Sequence, residues 1–482
     1  MTYLSESAGL GLLAAFGVAM ISLVWFKTHA EDHSDGFLVA DRNVSLWNGA
    51  FSIAVSWIWA PAIFICSLQA FTKGLPGIFW FTLPNIICFF IFAPMAVRFR
   101  RLVPKAYTLP EFIFRRFNGH KTTHIAYLIL FLGYQLGAVI INSLAGGTLL
   151  HAVSGIDINT AIISMSAIAL CYSLISGLKA SVFTDVIQMS MVLLIGLILV
   201  PFCIAKAGGI SSITSGLGGV DGTHTNLFDP WIAFTMGIPM TLGLIAGPIS
   251  DQMFFQRALA VKEKYVVKTF VYGGLLFGVV PIILSLLGFV GADLVRQGLI
   301  TVDDPQMISP AVIGYLLPNY SLFAFCLMAF AGLCSTMDSG FCAGSSLGAI
   351  DIYKRYIKPD ASDKQILKYS RIFMVFMATL GTAIALLKPT LLWTFLIYGA
   401  IGSAGMFPTI LALYWNKLTA KGAMWAVSLS LLIGTPLSIY ANVNNDPYLV
   451  VVAAITSVLV GLIICLVSGF ANKDNHFDFK TL

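Results

Sequence analysis

The sequence is poor in charge. Asp, Glu, Lys and Arg make up 10% of its 482 residues, against 58% hydrophobic. A soluble chain carries about a quarter charged residues, so this composition excludes a soluble globular protein and implies a polytopic membrane protein in a lipid bilayer. A phosphate-binding loop of the form G-x-x-x-x-G-K-[ST] is missing. The Gly-x-Gly of "GLGLLA" (Gly9–Ala14) lies inside an apolar run and lacks the strand–turn–helix context that would give it meaning. ATP is therefore no candidate driver, and uphill movement would have to draw on an ion gradient. The eight Cys lie in apolar runs without metal-ligand spacing, which reads as small buried hydrophobes rather than a disulfide or zinc framework. No His- or Cys-rich constellation suggests an enzyme. The first apolar run is preceded by Glu6 and no Lys or Arg. A signal peptide needs a basic leader, so a retained span is expected.

What the chain has in abundance is long apolar stretches. A helix needs roughly 20 apolar residues to cross a bilayer. Thirteen candidates follow, at roughly 7–26, 47–72, 76–98, 123–150, 158–176, 184–207, 229–253, 267–290, 320–348, 367–387, 391–414, 422–441 and 447–470. An outer N-terminus leaves only Lys73, Lys206, Arg296 and Lys388 of the 28 Lys and Arg on the outside. The rest, from Lys27 and Arg42 through Arg98–Lys121, Lys179, Arg257–Lys268 and Lys354–Arg371 to Lys473 and Lys480, fall inside. This bias fits the positive-inside rule, with the N-terminus out, the C-terminus in, and a plasma (inner) membrane as the setting. It also accounts for the net charge of +6, so no nucleic-acid partner is inferred. No obligatory protein partner is implied.

Two spans carry helix breakers. The second, "NGAFSIAVSWIWAPAIFICSLQAF", holds Pro61 in its middle, beside Trp57 and Trp59. The seventh, "PWIAFTMGIPMTLGLIAGPISDQMFFQR", holds Pro239, Pro248, Gly237, Gly243 and Gly247. Proline lacks an N–H and clashes with the turn before it. Either proline set could be a simple kink. Their matched placement five spans apart favours real breaks that open the two halves of an inverted-repeat core. Five is odd, so the second half enters from the opposite side. The expected organisation is a peripheral helix at 7–26, a first repeat over 47–207, a second over 229–414 and two peripheral helices over 422–470. A solute would sit at the breaks, with Trp57, Trp59, Phe79, Asn85, Gln135, Asp251 and Gln252 as candidate lining groups. Alternatively, the two Trp only pack, and Asp251 pairs with Arg257.

The ninth span contains "LCSTMDSGFCAGSS" (Leu333–Ser346). On a helix of 100° per residue, Gly332, Ser335, Thr336, Ser339, Ala343 and Ser346 fall within roughly 60° of one line, with Asp338 at its edge. Such a stripe can let helices pack closely. It can also present oxygens to a hard monovalent cation stripped of its water. An acid within a bilayer is expensive; Asp338 reads either as a capped structural carboxyl or as a second cation or proton site.

"YTLPEFIFRRF" (Tyr107–Phe117), "SGLKASVFTDVIQ" (Ser176–Gln188), "DQMFFQRALA" (Asp251–Ala260) and "STMDSGFCAGSSLGAIDIYKRY" (Ser335–Tyr356) together resemble the sodium/solute symporter family, over about 40–470. "SWIWAPAIF" and "GLPGIFWF" are most similar to its urea-permease branch. The resemblance implies an all-α, leucine-transporter type fold of ten core helices in two inverted repeats with flanking helices. It implies a Na⁺ site formed by the carbonyls of Val55, Ile58 and Gly332 and the hydroxyls of Ser335 and Thr336. Val55 and Ile58 are counted back from Gly74, which matches the family's glycine. Asp185 matches a family aspartate at the inner end of the sixth span. Sugar-carrying relatives have an amide near the position of Asp251, so a carboxylate there argues for a donor-rich or cationic solute. The implied activity is Na⁺-coupled import of a small organic solute by alternating access, Na⁺ being the coupling ion. The rivals are a proton-coupled symporter using Asp338 or Asp251, and an uncoupled facilitator or channel for a small polar solute such as urea.

Overall fold

The computed structural model describes residues 4–28, 31–472 and 476–482, so Lys473 lies outside the described residues. Among these the chain is helical and has no strand; one isolated bridge joins Val44 to Val261. Each expected span falls on a helix. The first is α1 (Glu6–Lys27), with Ser5 capping its N-terminus. The second span is divided into α2 (Leu46–Ser56), α3 (Ala60–Ile63) and the start of α4 (Ile65–Leu102). An amphipathic α5 (Leu109–Arg116) leads to α6 (Lys121–Ser154), α7 (Ile158–Ser176) and α8 (Leu178–Lys206). The seventh span comprises α9 (Pro230–Ile249) and α10 (Gln252–Ala260). Then come α11 (Val266–Arg296), α12 (Tyr320–Ser346), α13 (Asp363–Ala385), α14 (Leu391–Tyr414), α15 (Ala420–Val443) and α16 (Pro447–Ala471). Eleven helices among the described residues are long and apolar enough to cross a membrane. The second span is not among them because it is broken. Nor is the tenth, α13, whose first turns carry Asp363, Lys364, Lys368 and Arg371.

The breaks lie where backbone chemistry demands them, not always at the prolines. In the second span Trp57, Ile58 and Trp59 leave the helix, and Pro61 sits in the first turn of α3. There its missing N–H costs nothing, because first-turn amides have no intrahelical partner. In the seventh span the helix passes through Pro239, Gly243, Gly247 and Pro248 and stops at Ser250–Asp251. The expectation of a break among the prolines is corrected by about one turn. A proline alone bends a membrane helix when neighbours accept the freed groups; here Asp251 caps the new helix by accepting from the Met253 amide.

Gly74 separates the second and third spans inside α4, with φ 57° and ψ −144°. A β-carbon there would lie 2.4 Å from the His224 carbonyl oxygen and 2.5 Å from that of Leu217. Gly74→Ala should therefore lose ~1–2 kcal/mol to left-handed strain, with the clash in addition. A lower thermal unfolding temperature would register it. The cysteines are buried as expected except Cys171, which is exposed on α7.

Candidate functional site

The site grows from the break at Trp57–Trp59. Ile58 donates its amide to the Val55 carbonyl (2.9 Å), and the Ala60 amide donates to Asn142 Oδ1 of α6 (2.8 Å). A neighbouring helix thus replaces a lost helical partner and holds the break open. The Thr336 hydroxyl of α12 lies 3.0 Å from the Ile58 carbonyl oxygen, 3.3 Å from that of Ser56 and 3.2 Å from that of Gly332. A hydroxyl donates one hydrogen bond. Two of these three carbonyls therefore keep free lone pairs, converging with the hydroxyl's own. Of the five residues implied as Na⁺ ligands, Ile58, Gly332 and Thr336 meet in this oxygen cluster. Val55 turns its carbonyl to Ile58, and the Ser335 hydroxyl donates to Asp185 Oδ1 (2.5 Å). The Ser56 carbonyl is a member that the counting missed. Gly332 lies close under the break: a β-carbon on it would sit 2.8 Å from Ile58 Cγ2.

A buried polar lattice adjoins the cluster. Arg257 on α10 donates from Nη2 to Asp185 Oδ2 (3.1 Å) and to Ser339 Oγ (2.7 Å), and from Nε to Ser52 Oγ (2.9 Å). The Ser52 hydroxyl in turn donates to Asp185 Oδ2 (2.5 Å). Asp338 accepts from Ser181 (2.6 Å) and from the Tyr172 hydroxyl (2.7 Å). Arg257, Asp185 and Asp338 are 1% or less exposed. The alternative pairing of Asp251 with Arg257 is thus replaced by an Asp185–Arg257 pair, which ties α8 to α10. The guanidinium is paired with Asp185 while Asp338 is bonded by the hydroxyls of Ser181, Tyr172 and Ser339, so with both acids ionised one negative charge is in excess beside the oxygen cluster.

On the other side of the break lies a cavity open to its surroundings, lined by Trp57, Trp59, Phe81, Asn85, Tyr134 and Tyr398 among others, with no charged side chain among the described residues of its wall. Trp57 Nε1 donates to Asn85 Oδ1 (2.7 Å), and Trp59 Nε1 has no partner among the described residues. A second hollow shares Leu396, Asn442 and Val450 with this cavity and leads to Lys73, His224 and Asp446. At the opposite end the chain is fastened. Gln252 Nε2 donates to the Tyr107 carbonyl (3.0 Å), and the Leu109 amide donates to Gln252 Oε1 (3.1 Å). Of the expected lining groups, Trp57, Trp59 and Asn85 face the cavity. Phe79 packs on Trp80 and Phe228; Gln135, Asp251 and Gln252 are buried away from the cavity wall.

The model of the sodium:solute symporter family matches residues 37–430. Over 98% of the chain and 71% of the relative, the sequence is 25% identical to the urea-proton symporter DUR3 of Oryza sativa subsp. japonica. It is 26% identical to the human high affinity choline transporter 1, over 81% of the chain and 68% of the relative. The fold is similar to that of a Na⁺-coupled sialic acid symporter in its substrate-bound outward-open state, with a TM-score of 0.82, 17% identity, and 98% and 99% of the two chains covered.

Proposed function

The chain belongs to the sodium:solute symporter family, and from that premise we propose that it is a Na⁺-coupled importer of a small organic solute. As a family member it is a multi-pass membrane transporter and not an enzyme. The observation that carries the Na⁺ reading is the convergence of the Ser56, Ile58 and Gly332 carbonyls on Thr336. Neutral oxygens at a helix break suit a dehydrated monovalent cation that must later leave. Val55 and Ser335 complete the ligand set once Ser335 turns from Asp185. Asp185 and Asp338 supply the excess negative charge that favours the ion, and act as the coupling groups behind the cage.

The proposed topology has thirteen crossings, the N-terminus outside and the two repeats over 47–207 and 229–414. With that orientation the cavity opens outward while Gln252 keeps the inner end closed. Na⁺ and solute enter from outside; release of the Gln252 clasp then exposes them inward. One charge crossing 100 mV gains about 2.3 kcal/mol, enough for more than tenfold solute accumulation before any Na⁺ concentration term.

The aromatic, uncharged wall suits a small solute held by ring faces and a few hydrogen bonds. Urea and choline, for which the relatives are named, are the first to try. Phe79, Gln135, Asp251 and Gln252 lie outside the cavity wall in this state, so no solute contact is proposed for them. Trp59→Phe keeps the ring but removes the unpartnered donor, so KM should rise several-fold with little change in the maximal rate. A proton-coupled cycle is the second reading, favoured by the rice relative's name and by the unmatched carboxylates. The deciding experiment is uptake into proteoliposomes at fixed pH with Na⁺ replaced by N-methyl-D-glucamine. Loss of uptake supports the proposal; uptake indifferent to Na⁺ rejects it.

A further inference from the structure

Asp251 is a buried carboxylate that no cation among the described residues pairs with. It is fully buried at the turn between α9 and α10. Its Oδ1 accepts from Gln135 Nε2 (3.0 Å) and from the Met253 amide (2.8 Å). Among the described residues its Oδ2 has no hydrogen-bond partner, and neither does Gln135 Oε1 on the same amide. Arg257, further along the same helix, is engaged by Asp185, Ser52 and Ser339. The other titratable neighbours are Tyr134 on α6 and, beyond it, Cys88 on α4 and Tyr398 on α14. Asp185 is paired with Arg257, and Asp338 is bonded by Ser181 and Tyr172. A carboxylate with a free oxygen and no counter-ion is costly in such a place, whereas the neutral acid is not. A proton on Oδ2 removes the charge and supplies a donor where an acceptor, Gln135 Oε1, is unused.

The position in the fold gives this proton somewhere to go. Trp57 and Tyr134 line the outer cavity and press on Gly247, one turn before Asp251: a β-carbon there would lie 2.4 Å from Trp57 Cη2 and 3.2 Å from the Tyr134 hydroxyl. On the inner side the next residue, Gln252, holds Tyr107 and Leu109. The carboxyl therefore sits between the cavity floor and the inner clasp. A movement of α10, whose first turn Asp251 caps, would open the clasp.

We propose that Asp251 carries one transported proton per cycle, in addition to any Na⁺. In the outward state the carboxylate takes H⁺ from the cavity and becomes the acid. When the Gln252 clasp opens, the acid gives H⁺ to cytoplasmic water and returns to the carboxylate. The proposal rests on the alternating-access reading above but not on the Na⁺ cluster, which lies across the Arg257 lattice.

Two measurements test it. Infrared spectra of purified protein at neutral pH should contain the carbonyl stretch of a protonated carboxylic acid that disappears in Asp251→Asn. Identical spectra would overturn the proposal. Proteoliposomes loaded with a pH dye and given labelled urea, or labelled choline, at fixed Na⁺ should acidify as solute enters, with uptake rising several-fold as the outer pH falls. In Asp251→Asn the remaining uptake should be flat with pH, and Asp251→Glu should restore the slope. Na⁺-dependent uptake without lumenal acidification would remove the proton and leave the Na⁺ reading standing. Acidification with uptake indifferent to Na⁺ would do the reverse. If neither solute is carried, the infrared comparison decides alone.

Discussion

Thr336→Ala should abolish Na⁺-stimulated uptake while leaving membrane insertion intact. The Thr336 hydroxyl lies within 3.3 Å of the three carbonyls of Ser56, Ile58 and Gly332. Its removal deletes a ligand and lets α2 and α12 drift apart at the break. A hydrogen-bonding group facing a charge is worth ~1.5–3 kcal/mol, so Na⁺ affinity should fall by roughly ten- to hundred-fold. Thr336→Ser keeps the oxygen and should stay near wild type. Ser335→Ala should also lose Na⁺ stimulation, with an added effect on Asp185, because its hydroxyl is donated there in this state. Na⁺-activation curves of uptake, with surface expression measured in parallel, check all three.

Arg257→Met has the second large effect, on folding as well as transport. The guanidinium is 1% exposed and bonds Asp185, Ser52, Ser339 and the Met253 carbonyl. Deleting it leaves Asp185 without its cation. Breaking a buried pair by removing one partner costs about 3–5 kcal/mol, so the thermal unfolding temperature should fall well below wild type. Arg257→Lys should rescue little, since an ammonium cannot reproduce the planar fork. Arg257→Met combined with Asp185→Asn should recover much of the stability but not transport. A double-mutant cycle in thermal unfolding, beside uptake by the same four proteins, separates the two contributions.

Periodicity and length made most of the architecture legible. The stretches 158–176 and 391–414 end where α7 and α14 end, because Gly177 takes a positive φ after one and polar or extended backbone follows the other. The break at Trp57–Trp59 was signalled by Pro61, and the hydroxyl stripe by its spacing. The partner each hydroxyl takes was not legible. Thr336 and Ser335 are neighbours in sequence, yet one turns to carbonyls and the other to Asp185, a choice set by helices that meet only in three dimensions. Arg257 misled for the same reason. In sequence it looks like one more inner basic residue supporting the orientation, whereas its side chain is buried and ion-paired with Asp185, 72 residues away. The break in the seventh span was displaced because Gly and Pro composition marks a weakened helix without saying which turn gives way. Asp251 stands out in the sequence as a candidate lining group, but its free oxygen depends on Gln135 from another helix.

The most direct test of the central claim is a pair of high-resolution electron cryomicroscopy maps, one in NaCl and one in N-methyl-D-glucamine chloride. An ion-sized density should appear among Thr336 Oγ1 and the carbonyl oxygens of Ile58 and Gly332 in the Na⁺ map alone, with Ser335 rotated toward it. Equal or absent density in both maps, with the Thr336 hydroxyl bonded to a carbonyl in each, would contradict the account.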